Sequence, residues 1–361
     1  MNPSGNPPPN PPPMAPRVAI VLVNWNGWRD SIECLSSIVG SGALAFADVW
    51  LVDNDSRDGS VGHIEAWCRQ PQHAPAWRDL PGVRHARAGE PVPCQVYASD
   101  GRPAAPLPGV QVNIVRAGGN LGFAGGNNVG ITAAGLTRYS HFWLLNNDTV
   151  MAHDALTQLL QRADADPQVG MVGSTLIFYS QPEQVQALGG GWFDRGAMRM
   201  SHIGEFKHPR EVPADAAGQR AVEAQMAYVV GASMLVPSRF VREVGPMCED
   251  YFLYFEELDW AFRALPRYTL AYAPGSRVFH KAGASTMQTQ GEFSLNLLYR
   301  NQLRFASRFL PERLPALKRA LAWELARHVL KGRWMPARLV AGALRDSRAL
   351  AASAPAQGPR A

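Results

Sequence analysis

The 361-residue chain is poor in cysteine: Cys34, Cys68, Cys94 and Cys248 are all it has, and no two form a C-x-x-C pair. That scarcity excludes a zinc ribbon and a dense disulfide framework, and reads as free thiols in a reducing cytoplasm. No run reaches the roughly 18–20 apolar residues that a membrane-spanning helix needs. Charge is missing from the first sixteen residues, MNPSGNPPPNPPPMAP, eight of which are proline. Such a stretch has too little apolar surface to offset chain entropy, so residues 1–16 are expected to be a disordered tail. They have neither the basic start nor the apolar segment of a signal peptide. No internal repeat of solenoid length is present. Acidic residues are scarce late in the chain: from Arg300 onward there are 13 Lys+Arg against 3 Asp+Glu, net +10. Residues 1–299 then hold 22 against 27, net −5, so the formal +5 of the whole belongs to the C-terminal part.

What is present is a globular chain, 46% hydrophobic, long enough for one large α/β domain with an appendage or for two ordinary domains. RVAIVLVNWNG (17–27) reads as a buried parallel strand entering a loop. DSIECLSSIVG reads as a helix capped by Asp30 or Ser31 and stopped at Gly40. ADVWLVDNDSRDGS repeats the strand design and ends in Asp53, Asn54 and Asp55. This β-α-β opening puts polar residues at strand carboxyl ends, where open α/β sheets bind ligands. Residues 62–110 read as a loop-rich insertion with a helix around GHIEAWCRQ and room for a hairpin. A strand over Val110–Val115, a glycine-rich turn and a helix from about Ala124 follow. HFWLL, starting at His141, is another buried strand, then come a helix from Asp154 to a stop at Pro167 and the strand VGMVGSTLIFY. Residues 180–225 read as loop-rich, AYVVGASMLVPSRFVREVG as strand then helix, and LAYAPGSRVFHKAG as strand then loop. Residues 291–350 read as basic amphipathic helices and 351–361 as a flexible tail.

Four constellations can carry chemistry. GGNLGFAGGNN (118–128) places five glycines and three asparagines where a strand passes into a helix, whose free N–H groups suit an anion or a base edge. It has neither the Lys-Ser/Thr of a P-loop nor dinucleotide-fold spacing, and a tight structural turn accounts for it equally well. In NND, Asn146 and Asp148 offer oxygen donors at alternate positions for Mg²⁺ or Mn²⁺; alternatively, Asp148 caps the helix that follows. FEELDW sets three carboxylates among aromatic residues, where partial desolvation raises a pKa toward that of a general base. The plainer account is a helix start with Asp259 paired to Arg263, and it suits Asp259 and Glu256 better than Glu257. His280 lies just past a strand end, either structural or a partner of Asp148.

VLVNWNG, LVDNDSRDGS, NLGFAGGNNVGI, LLNNDT, FLYFEELDW and VFHKAGAST, in this order, resemble the family-2 glycosyltransferases, inverting enzymes of the GT-A fold, and among them the rhamnosyltransferase-like branch. The resemblance runs from about Arg17 to Ala306. It implies a GT-A nucleotide-diphosphosugar transferase fold over residues 17–290, a Rossmann-like mixed α/β sheet flanked by helices, with a C-terminal helical appendage. It implies that Asn24, Asp53, Asn120, Gly122 and Asn127 line the nucleotide pocket. Asp148 would meet a metal (Mg²⁺ or Mn²⁺) or the diphosphate, with His280 approaching that metal. Asn146 stands where the family has the first acid of its D-x-D motif, a departure that weakens the metal assignment. Glu257 takes the position of the catalytic base. The implied partners are a nucleoside-diphosphate sugar, rhamnose or a similar hexose, and a glycan or lipid-linked acceptor of cell-surface polysaccharide. Nucleic acid is not expected; a homo-oligomer is a possible state. The basic helices can lie on the anionic inner face of a plasma membrane or pack on the catalytic domain. Two rival readings stay open: a non-catalytic nucleotide-sugar-binding scaffold, and a nucleotidyltransferase, whose Arg- and Lys-bearing N-terminal signature VNWNG does not supply.

Overall fold

The computed structural model describes residues 17–97, 109–213, 215–281 and 291–350, with backbone only at 347–350. Both expected tails and the 98–108 part of the expected insertion lie outside the described residues.

The opening segment, VAIVLVN, buries nearly every side chain, which suits a strand covered by helices on both faces. It is β1 (Val18–Asn24), followed by α1 (Trp28–Ser41), β2 (Ala47–Asp53), α2 (Ser60–Arg69), β3 (Cys94–Tyr97), β4 (Val112–Arg116) and α3 (Gly122–Ala134). Next come β5 (His141–Leu145), β6 (Thr149–Met151), α4 (Ala155–Asp164), β7 (Val169–Phe178), β8 (Val185–Leu188), β9 (Gly190–Asp194) and β10 (Arg199–His202). The chain continues through α5 (Ala216–Glu223), β11 (Tyr228–Val229), β12 (Ser233–Pro237), α6 (Ser238–Val244), α7 (Glu256–Ala264) and β13 (Thr269–His280). It ends with α8 (Glu292–Phe309), α9 (Leu314–Leu330) and α10 (Trp334–Leu350).

Ten strands form one mixed sheet in the order β3-β4-β2-β1-β5-β12-β7-β13-β6, with β8 on β7. β1 pairs in parallel with β2 and β5, while β12 runs antiparallel to both β5 and β7. The expected helix-flanked mixed α/β sheet is therefore what this chain forms. From β1 the chain moves outward through β2 to β4, then returns to place β5 on the other side of β1. That reversal opens a crevice at the carboxyl ends of β1 and β5, the switch point at which such sheets accept ligands.

The opposite end of the sheet is closed by charge. Arg17 grips Asp48 in a fork of 2.6–3.0 Å, Tyr139 donates to the same carboxylate, and buried Trp50 donates to the tyrosine oxygen. All four cysteines are free.

Several boundaries differ from expectation. α1 begins at Trp28, two residues before Asp30, with no side-chain cap, and passes through Gly40 to a left-handed Gly42 at φ +80°. Gly40 serves packing, since a Cβ there would lie 2.3 Å from the Arg84 carbonyl oxygen. In the 62–110 region no hairpin forms among the described residues; β3 instead runs parallel to β4 as the sheet edge. Residues 180–225 hold three strands, one α-helix and a single 3-10 turn at Pro209–Glu211, and β10-β9-β11 make a small second sheet. The C-terminal helices are partly built into the domain: Phe305, Ala306 and Leu310 on and just after α8 belong to the main core. Leu303, Leu321, Val340 and Ala343 from the three helices form a small core of their own. Among the described residues no helix is long and apolar enough to cross a membrane.

Candidate functional site

Asn24, the last residue of β1, is fully buried, and its amide ties together three strand ends. Nδ2 donates to Asp53 Oδ1 at 2.9 Å and to Ser56 Oγ at 3.0 Å, while Oδ1 accepts from Ser31 Oγ at 2.8 Å and from Asn147 Nδ2 at 3.4 Å. Its hydrogen-bonding capacity is used internally, so Asn24 holds the strand ends together and has no polar atom to spare. Asp53, also buried, accepts a second bond from the Ser56 amide at 3.2 Å.

Six further contacts join distant segments around this centre. Asn54 Nδ2 donates to the Gly122 carbonyl at 2.9 Å, and the Phe123 amide to the Phe252 carbonyl at 2.8 Å. The Gly231 amide donates to Glu257 Oε1 at 3.2 Å, the Asn146 amide to the Ala232 carbonyl at 3.0 Å, and Asn147 Nδ2 to Ser31 Oγ at 2.9 Å. The Lys281 amide donates to the Asp148 carbonyl at 3.0 Å. The glycine-rich turn, the end of β5, the 230–232 loop, the start of α7 and the end of β13 thus meet at one end of the sheet.

Gly122 has a positional reason for being glycine. Its φ is +70°, and a Cβ would sit 2.3 Å from the Phe252 carbonyl oxygen. Asn120 Oδ1 accepts from the Gly122 amide at 3.1 Å, an Asx turn that shapes the bend. Asn127 is buried in α3, its Nδ2 bonded to the Phe123 carbonyl at 2.9 Å. Like Asn24, it shapes the turn from behind.

Asp148 does not cap a helix. Thr149–Met151 is strand, and α4 starts after Asp154. Instead Asp148 Oδ1 lies 3.2 Å from His280 Nε2, because β6 and β13 pair His280 with Thr149. Burial acts to raise the Asp148 pKa, but His280 and Lys281 outweigh it and hold it below the ordinary carboxylate value. On the far side of the ring, Gln186 Oε1 lies 2.9 Å from His280 Nδ1. When charged, the imidazole donates from Nε2 to Asp148 and from Nδ1 to Gln186; when neutral with its proton on Nδ1, its Nε2 lone pair faces the carboxylate oxygen. Two lone-pair donors at this distance need a proton or a cation between them. Adjacent donors of an octahedral ion with bonds of 2.0–2.1 Å lie about 3 Å apart, so the pair fits one. Asn146 is half-buried, and its side chain has no hydrogen bond among the described residues. No cluster of three or more His, Cys, Asp or Glu able to hold a metal occurs among the described residues. Any ion here needs ligands from substrate or water.

Glu257 is half-buried in the first turn of α7. Burial pushes its pKa up to about 6, against the pull of the Glu257 and Gly231 amides. Its neighbour Glu256 is 1% exposed with Oε2 unpartnered, and burial beside Glu257 raises its pKa well above the ordinary value. Asp259 pairs with Arg263 at 2.7 Å and Arg308 at 2.8 Å. For that residue the plain helix-pairing account holds.

Ser31, Asn54, Asn147, Gln186 and Gly231 were not among the expected site residues. Asn147 lies inside the NND motif and Asn54 beside Asp53, so both had a signal; Gln186, in a stretch read as loop, had none. A cavity of about 830 Å³ lies elsewhere, over the β7–β13 pair, lined by Arg162, Thr175, Arg220, Glu223 and Arg277 among others. None of the expected site residues lines it. The convergence of acid, imidazole and amide groups at the switch point is the stronger indicator, because chemistry needs those groups and volume alone does not.

No protein-family model matches the chain, and no curated protein does. Among solved structures the chain is similar to the mannosyltransferase PcManGT from Pyrobaculum calidifontis in complex with GDP-Man and Mn²⁺, at 14% identity and TM-score 0.48, covering 94% of this chain and 87% of that one. It is also similar to residues 1–349 of S. aureus TarS, at 9% identity and TM-score 0.46, covering 93% and 88% respectively. Likeness of this degree does not assign an activity.

Proposed function

We propose that this protein is an inverting glycosyltransferase of GT-A type that moves a sugar, rhamnose or a similar hexose, from a nucleoside diphosphate to a hydroxyl of a glycan or lipid-linked acceptor of the cell envelope. The observation that carries the reading is the Asp148–His280 contact, together with the hydrogen bonds that tie the segments bearing Asp53, Gly122, Asn146 and Glu257 to one another at the strand ends. The nucleoside lies between Asp53 and the Asn120–Gly122 turn, and its diphosphate reaches toward Asp148. Asp148 and His280, with Asn146 nearby, are the residues that would hold Mg²⁺ or Mn²⁺, and such an ion would supply positive charge against the departing diphosphate. Glu257 takes the proton from the acceptor hydroxyl as its oxygen bonds to the anomeric carbon and the bond from that carbon to the diphosphate breaks. A single displacement inverts the anomeric configuration. The site is internal to one chain, so the reading does not require an oligomer. A cytoplasmic enzyme at the inner membrane face fits a lipid-linked acceptor.

The test is ligand-induced thermal stabilisation, since a ligand bound only by the folded form raises the melting temperature. Thymidine or uridine diphosphate should stabilise the wild type, and more so with Mn²⁺ or Mg²⁺. Asp148→Ala should keep nucleotide binding, lose the cation-dependent part and lower transfer by ~10²–10³. A cation response unchanged in that variant would remove the metal assignment. No response to any nucleoside diphosphate would remove the donor assignment.

A further inference from the structure

The apolar stripes of α8, α9 and α10 face one another around Leu303, Leu321, Val340 and Ala343, so none of the three helices can lay such a stripe flat on a bilayer. What remains uncovered is the tip of the α9–α10 hairpin. There the sequence VLKGRWM (329–335) turns at Gly332, φ +63°, and every residue of it is exposed. Leu330 is 84% exposed, Trp334 65% and, one face back along α9, Trp323 68%. Val329 and Met335 complete the apolar group. Along the rest of the described chain exposed bulky residues occur singly, whereas five fall here within thirteen residues.

The charge around the tip has one sign. Residues 318–338 carry Lys318, Arg319, Arg327, Lys331, Arg333 and Arg338 against the single acid Glu324. Glu324 is occupied by Tyr299 and His328, and none of the six cations has an ion pair among the described residues. A contact between two copies of this tip would bring like charges together. An acidic protein or polymer would satisfy the cations and leave Leu330 and Trp334 in water. An anionic bilayer satisfies both sets: the apolar tip enters the boundary between headgroups and acyl chains, with tryptophan favoured at that depth, and the basic residues stay among the phosphates.

We infer that the α9–α10 tip is a membrane wedge, through which the protein docks on a surface rich in anionic phospholipid. α8 links the wedge to the rest of the domain, because Asn301 Nδ2 donates to the carbonyls of Tyr251, Leu253 and Tyr254 at 2.8–3.0 Å, just ahead of Glu257. Docking would therefore hold the strand-end site at a fixed orientation to the lipid surface. The inference does not depend on sugar transfer, since vesicle binding is measured with no donor present.

The test is co-sedimentation of the full chain with vesicles of phosphatidylglycerol and phosphatidylcholine in equal parts, against pure phosphatidylcholine. Binding to the anionic vesicles should be at least tenfold tighter and should fall with salt. K331Q/R333Q should weaken it about 30-fold, the effect of two cations at a charged surface. L330S/W334S should weaken it at least tenfold. Both variants should melt with the wild type, because the altered side chains are exposed. Equal binding to both vesicle types, or variants that bind as the wild type does, would overturn the wedge. So would a dimer that L330S/W334S abolishes in a protein that ignores vesicles, which would assign the tip to a second copy.

Discussion

Two adjacent glutamates divide the work at the start of α7. Glu256 is sealed in, with no ion pair among the described residues, and burial beside Glu257 holds its pKa well above the ordinary carboxylate range. Glu257, its pKa pushed up to about 6 by burial and its Oε1 accepting from the Gly231 amide, loses its proton just below neutral pH, which suits the base proposed for it. Glu257→Gln should lower kcat by ~10²–10⁴ with little change in nucleotide binding. In the wild type kcat should rise with pH through about 6 and then level off. The stability effect has the opposite sign. A carboxyl whose folded pKa lies above its unfolded value binds an extra proton in the folded state, so its contribution is complete below 4.5 and is lost as pH rises through about 6. Glu257→Gln should therefore melt higher than the wild type at pH 8, and the gap should close toward pH 4.5. A gap that widened in acid would show that Glu257 is not desolvated. At this scale the sequence was informative for reactive types: an acid ending an apolar strand, a glutamate among aromatics and a histidine past a strand are unusual enough to single out. It was mute on Gln186 and Asn301, because an amide carries no signal until its partners are known.

Among the elements, the segment leading into α7 is the unusual one. Phe252, Tyr254 and Phe255 all adopt positive φ, between +62° and +76°. For residues with bulky side chains this costs about 1–3 kcal/mol each unless the surroundings hold it in place. The holder is Asn301 on α8, one amide nitrogen bonded to three carbonyls of that segment, assisted by Arg304 on the Asp250 carbonyl. Asn301→Ala should destabilise the fold by about 1–3 kcal/mol. It should also lower kcat about 10- to 100-fold through misplacement of Glu257, with a smaller change in donor affinity. If kcat were unchanged once the melting shift is accounted for, Asn301 would hold only the fold. FLYFEELDW was legible as aromatic and acidic, and α7 itself as a helix. The left-handed residues before it were not, because the constraint that selects that conformation comes from a helix much later in the chain. The β10-β9-β11 sheet was invisible for a related reason: its strands are short, glycine-bearing or polar, and their pairing is tertiary.

Over the whole molecule, charge and chemistry are separated. The acidic part, net −5, carries every group of the strand-end site, and the basic part, net +10, carries the wedge. A chain ending at Leu310 keeps Phe305, Ala306 and Leu310 for the main core and loses the partners of Leu303. It should bind nucleoside diphosphate within about threefold of the full chain, melt several degrees lower and show no preference for anionic vesicles. Retained vesicle preference would move the membrane contact elsewhere. The β-α-β opening was readable because a short Val/Ile/Leu run that stops abruptly at Asn or Asp must leave the apolar interior at that residue, which puts the strand's end at the sheet's edge. The order of the strands beyond β5 was not, since β12, β7 and β13 have nearly equal apolar character and nothing local says which neighbours which. The frame of the pocket starts at Asn24 and its last brace is Asn301. During synthesis, then, most of the polypeptide must leave the ribosome before the segment ahead of Glu257 is held in its positive-φ conformation. A nascent chain halted short of α8 would lack that brace as well as Phe305 and Ala306 of the main core, so Glu257 would take its final position only near the end of translation.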